Sequence, residues 1–226
     1  MLNYFDQDTL ARTYRDPVAM AILVVDLFPI YAVLAFGWDA SALVFLYWLE
    51  NLVIGAVTLA RMTAVSARQS PVGLIQMAFL GPFFIVHFGM FCFVHGQFLN
   101  MFANAQGGPP EDNIFLSPWG LVMRALDSGA HMPAFLFVII ALQAYLFGRD
   151  FMLGEQYKSS DVHTEMGAPY GRVIVLHIAL FVGMAAMIAL GQPMIGVLAL
   201  ILLRAAWGVL FTVRRRISLD AAALKS

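Results

Sequence analysis

Long apolar runs, each closed by a charge, a proline or a glycine, set the pattern of the chain. The first covers about 18–37 and closes at Gly37-Trp38-Asp39, and the second covers 40–60 and stops at Arg61. The third lies within 71–103, the fourth covers 131–152, the fifth 170–190 and the sixth 194–213, ending at Arg214-Arg215-Arg216. A helix crossing a bilayer needs about 20 mostly apolar residues. The pattern therefore predicts an all-α, polytopic membrane bundle of six transmembrane helices. Gly191-Gln192-Pro193 leaves room only for a tight hairpin between the last two. The predicted organisation is an interfacial segment over 1–17, a transmembrane domain over 18–213 and a basic tail over 214–226.

The polar stretches orient the bundle. With both termini in the cytoplasm, Arg12, Arg15, Arg61, Arg68, Arg149, Lys158, Arg172, Arg214, Arg215, Arg216 and Lys225 all fall inside, only Arg124 falls outside, and Arg204 lies within the sixth span. That asymmetry follows the positive-inside rule, and five or seven spans would spoil it. The first apolar run starts near Val18, behind Asp6, Asp8, Arg12, Arg15 and Asp16, which is unlike the short basic start of a cleavable signal peptide. In the outer segment 102–130, Ser117-Pro118-Trp119 reads as an N-cap followed by proline in the first helical turn. Trp119, Leu121, Val122 and Leu126 then suggest a short helix lying on the membrane surface, stopped by Gly129.

Composition narrows the class. The chain is 61% hydrophobic and 12% charged, against about 45–50% and about 25% for a soluble domain. An ordinary globular protein, a disordered chain and a nucleic-acid binder are excluded, and the lipid bilayer is the first partner. The lone Cys92 excludes an intrachain disulfide and a cysteine zinc cluster, and its apolar surroundings suit a packed small hydrophobe.

Polar groups inside the runs carry the candidate chemistry. An ionised side chain at the bilayer centre costs roughly 2.5–3.5 kcal/mol on insertion scales, so such groups face the bundle interior. Here they are Asp26, Glu50, His87, His95, His177 and Arg204, with Asn51 about 100° round the helix from Glu50. Asp26, Glu50 and Arg204 fall at similar depth when counted from the inner edge. The third run is longer than the hydrocarbon core, and Gly81-Pro82 is the natural place for a break. A span starting at Pro82 puts His87 five residues in, whereas one starting near Pro71 puts it near the midplane and closer to Glu50. Sequence alone leaves both registers open.

Four functional readings follow. The first is a divalent metal site, zinc foremost, built from Glu50, His87, His95 and His177, which would support membrane-embedded hydrolysis on a small-molecule or lipid substrate. The second is a b-type haem protein with His87 and His177 as axial ligands. The third is a small transporter using Asp26, Glu50 and Arg204. The fourth is a scaffold without chemistry, and a homo-oligomer is compatible with each. The serines lack the Gly-x-Ser-Gly setting of an intramembrane serine protease. The polar Asp161-x-His163-x-Glu165 reads as solvated surface. Whether the protein is an enzyme stays open.

The segment Tyr47-Trp48-Leu49-Glu50-Asn51-Leu52-Val53-Ile54-Gly55 and the stretch from His87 to Phe98 resemble an uncharacterised family of bacterial integral membrane proteins, a domain of unknown function. The resemblance covers about 20–215. It implies a multi-pass protein of the bacterial inner membrane, imports no activity, and draws attention to Glu50, Asn51, His87 and His95.

Overall fold

A computed structural model describes residues 11, 13–68, 71–105, 115–171, 173–174, 206, 208–210 and 212–213. The chain divides into two compact units, Met1–Gly37 with Ile178–Ser226, and Trp38–His177. Among the described residues the secondary structure is helical. Four helices are long and apolar enough to cross a membrane: Pro17–Phe36, Ala40–Arg68, Val72–Asn104 and Met132–Leu153. They match the first four predicted spans. The predicted fifth and sixth spans lie mostly outside the described residues, and His177 and Arg204 lie outside them.

In the first unit, α1 (Pro17–Phe36) starts where the Asp16 side chain accepts a hydrogen bond from the Val18 amide at 3.0 Å, with Pro17 at its first position. It ends at Gly37, whose φ of 64° is left-handed and whose amide donates to Val33 O at 3.1 Å. Glycine reaches that conformation without a Cβ penalty, which is why the first apolar run closes there.

The second unit is built on α2 (Ala40–Arg68), followed by α3 (Pro71–Ala105), the short α4 (Pro118–Leu126) and α5 (Met132–Leu146). A π-helical stretch, Phe147–Leu153, prolongs α5, and a single 3-10 turn, Gln156–Lys158, precedes α6, which is helical over 162–171 and at 173–174. From Ala40 to Glu50 every residue of α2 except Val44 is buried, so its first half is enclosed on all sides.

α2 and α3 run antiparallel in close contact. Trp48 Nε1 donates to Cys92 O at 2.7 Å, the Phe88 ring fills the notch at Gly55, and Leu59 lies beside Gly81. Gly96 permits a second close approach, because a Cβ there would meet Leu121 at 2.8 Å and the Trp48 ring at 2.9 Å. This pairing sets Glu50 level with Cys92, His87 level with Gly55, and Arg61 level with Gly81. α5 runs parallel to α2. Trp38 Nε1 donates to Ala130 O at 3.0 Å at one end, and the Arg61 guanidinium stands 4.5 Å over the Phe151 ring at the other.

The helix α3 is continuous, and Gly81-Pro82 does not break it. Pro82 is exposed, so its ring meets no neighbouring helix. The register nevertheless favours the shallower of the two placements of His87. Arg61, the charge that closes the second apolar run, is level with Gly81, and the first turns of α3 extend past it. His87 then lies about 9 Å in from Arg61, and Glu50 about 16 Å in, at 1.5 Å per residue.

Candidate functional site

Glu50 is the best-enclosed acidic or basic side chain of the second unit's α2, 3% exposed and midway along the apolar part of that helix. Its buried polar company is unevenly spread. Ser41, Tyr47 and Glu50 on α2, with Gln97 and Asn100 on α3, are buried in the half of the bundle that leads to α4. In the other half, between Glu50 and Arg61, the buried residues of α2 and α3 are apolar apart from Thr58. There Met62, Leu80, Phe84, Phe88 and Cys92 pack with Val162 and Val173 of α6 into one hydrophobic cluster. Cys92 is thus the packed small hydrophobe expected from its surroundings.

Gln97 has a structural task. Its Nε2 donates to Leu116 O at 2.5 Å and its Oε1 accepts from the Leu116 amide at 3.2 Å, which pins the segment entering α4. Asn100 is fully buried, one turn further along α3 on the same side of Glu50. Glu50, at mid-helix, has buried Tyr47 on its own helix and buried Asn100 on α3 towards one end. That setting suits holding a proton or a small cation.

The described histidines do not gather round Glu50. His87 is exposed, stacks on Phe83 with centroids 5.4 Å apart, and leans on Tyr170 of α6 at 5.9 Å. His95 is half-buried, and its Nδ1 is 2.9 Å from Phe91 O, one turn back on its own helix. The eight-residue spacing already separates the two rings by about 80° and about 12 Å along the axis. Among the described residues no group of three or more His, Cys, Asp and Glu side chains is placed to hold a metal ion. His177, predicted as the remaining metal or haem ligand, lies outside the described residues. Asn51 is half-buried beside Glu50 in sequence.

Asp26 belongs to the first unit, where it is half-buried. There its carboxylate lies so close to Gly208 that a Cβ at that position would collide with it. The charge of Asp26 is also felt by Tyr14, whose phenol is raised above its ordinary value, first by burial and then by that carboxylate.

A second polar centre was misread from sequence. Glu165 is not solvated surface: it is 7% exposed, pairs with Arg61 Nη1 at 3.2 Å, and accepts from Ser160 Oγ at 2.6 Å. Arg61 also covers Phe151, so one guanidinium joins α2, the π-helical stretch and α6. The other two members of the motif do stay exposed. Asp161 accepts from the His163 and Thr164 amides at 3.0 Å each and caps α6, while His163 Nε2 lies 2.9 Å from Gln76 Nε2. The Thr164 hydroxyl, and after it the amides, hold the Asp161 carboxyl below its ordinary value. Nothing local in the sequence signals the Arg61–Glu165 pair, because its partners are 104 residues apart.

No match to a curated protein or to a solved structure was found. The profile of a family of unknown function (DUF6498) matches residues 8–225, nearly the whole chain. That extent agrees with the resemblance carried by the segments around Glu50 and His87, and the chain belongs to this family of unknown function.

Proposed function

We propose that the protein is an integral membrane protein of the bacterial inner membrane, with both termini cytoplasmic and α4 on the outer side, and that Glu50 takes up and releases a proton or a small cation from the α4 side. The observation that carries this reading is the burial of Glu50 midway along α2, with buried polar neighbours towards α4 and mainly apolar buried residues towards Arg61. Six spans would complete the bundle. The basic residues gathered at the opposite end support the orientation.

The metal-enzyme reading has less support. His87 is level with Gly55 rather than with Glu50 and faces an exposed surface, and the His95 Nδ1 is engaged by its own helix. The described residues therefore do not fit a zinc ion held by Glu50 and these histidines, and no hydrolytic step is routed through one. A haem held between His87 and His177 gains no support from the described residues either.

A membrane-soluble carbodiimide tests the reading, since it adds to a protonated carboxyl that it reaches through lipid or a membrane-embedded path. Peptide mass analysis is expected to place the adduct on Glu50, with labelling slowed by added cation or by rising pH and lost in Glu50→Gln. Labelling confined to exposed carboxylates, with Glu50 unmodified across the pH range, would overturn it.

A further inference from the structure

The short helix α4 has two apolar faces, and a bundle needs only one. Leu121 and Ala125, one turn apart, are fully buried and face inward; Leu121 is the residue that a Cβ on Gly96 would meet. On the opposite side Trp119 and Met123, one turn apart, are 71% and 41% exposed, and Phe115, three residues before the helix begins, is 73% exposed. The stripe is fixed in place. Gln97 holds Leu116, Arg124 Nη2 donates to Asn104 Oδ1 at 3.2 Å, and the Ser117 hydroxyl caps the helix through the Gly120 amide at 3.0 Å.

The depth of α4 identifies what the stripe meets. Its contacts place it level with residues 96–104 of α3, which is the level at which α2 begins at Ala40. It therefore lies at the rim of the apolar layer, bracketed by two helices long and apolar enough to span it. Aromatic residues concentrate at that rim, and an amphipathic helix lying in its plane buries one apolar face about 5–10 Å into the headgroup and acyl boundary.

We propose that α4 is an in-plane interfacial helix that docks on the lipid surface through Trp119 and Met123, with Phe115 just ahead of its first turn, while its other face covers the bundle at the level of Gly96. The partner is the boundary between headgroups and acyl chains in the leaflet at the α4 end. The inference rests on the membrane reading but not on any activity of Glu50.

Nitroxide labels in nanodiscs test it, using Trp119→Cys and Met123→Cys. Val138→Cys on the exposed side of α5 serves as the deep reference, and Asp127→Cys beyond the end of α4 as the aqueous one. Cys92 is buried and stays in place. Collision with oxygen reports lipid, and collision with a water-soluble nickel chelate reports water. The labels at 119 and 123 are expected to give oxygen-to-nickel ratios between those of the two references, with oxygen favoured. Nickel access equal to that at 127 would overturn the proposal by leaving the stripe in water. Access by neither reagent would overturn it by placing protein, such as a second copy of the chain, over the stripe. Nickel access at 138 would instead contradict the membrane reading itself. Because two positions report independently, a fold disturbed by one substitution does not decide the outcome.

Discussion

Single residues carry much of the specificity of this bundle. Arg61 is the plainest case: it pairs with Glu165, covers Phe151 and thereby ties three segments together. Arg61→Ala leaves a nearly buried carboxylate without its cation, whereas Glu165→Gln keeps the side-chain shape and an acceptor for Ser160. A fully buried pair broken from one side costs about 3–5 kcal/mol and an exposed one under about 1 kcal/mol. With Arg61 30% and Glu165 9% exposed at the side chain, Arg61→Ala is expected to fall between those limits, near 2 kcal/mol, and to exceed Glu165→Gln in thermal unfolding of the detergent-solubilised protein. Gly208 is the second case. Its missing Cβ gives the Asp26 carboxylate room, so Gly208→Ala forces one of them to move, at about 1–3 kcal/mol by the general cost of overpacking. An unchanged melting temperature for Gly208→Ala would contradict the close approach.

At the level of elements, the ends of helices were legible and their long-range partners were not. Gly37 closes α1 and Ser117-Pro118 opens α4 as read from sequence, because capping is chemistry between residues two or three positions apart. Ser117→Ala is expected to destabilise α4 by about 1 kcal/mol, the usual effect of losing a side-chain N-cap. It would appear as faster amide hydrogen exchange over 119–121 without loss of the bundle. α6 offers a pH test. The hydrogen bonds that Asp161 accepts lower its carboxyl below the ordinary value. The capping contribution is therefore complete above the ordinary carboxylate range and fades as pH falls through the lowered native value. Exchange at His163 and Thr164 should rise on acidification in the wild type and be pH-insensitive, once intrinsic rates are removed, in Asp161→Asn. Two features escaped the sequence for physical reasons. Gly81-Pro82 looked like a break, yet the helix passes through it: an internal proline removes one backbone hydrogen bond and crowds the carbonyl four residues back, which disfavours a helix without forbidding it. The burial of Glu165 depends on Arg61 from a distant helix, which no local pattern encodes.

For the whole molecule, composition and periodicity were enough to read an all-α chain with spanning helices, and the described helices match the first four predicted runs closely. The candidate site was legible only in its centre. Glu50 stood out as an ionisable group in an apolar run, and it is buried as that cost requires. Among the described residues His87 and His95 are not brought to it; residue spacing along one helix fixes angle and depth but not the register against the neighbour. That register came from Trp48, Gly55 and Gly96, which pack rather than react. In the function proposed above, Glu50 is a membrane-embedded carboxyl that exchanges a proton or small cation with the α4 side. The most direct measurement is ion flux in proteoliposomes of known orientation, comparing wild type with Glu50→Gln under an imposed pH or cation gradient. The account predicts a gradient-driven flux in the wild type that falls to the level of empty vesicles in Glu50→Gln, with the variant still monodisperse and helical. A folded Glu50→Gln protein with undiminished flux, or a wild type indistinguishable from empty vesicles under every gradient applied, would contradict it.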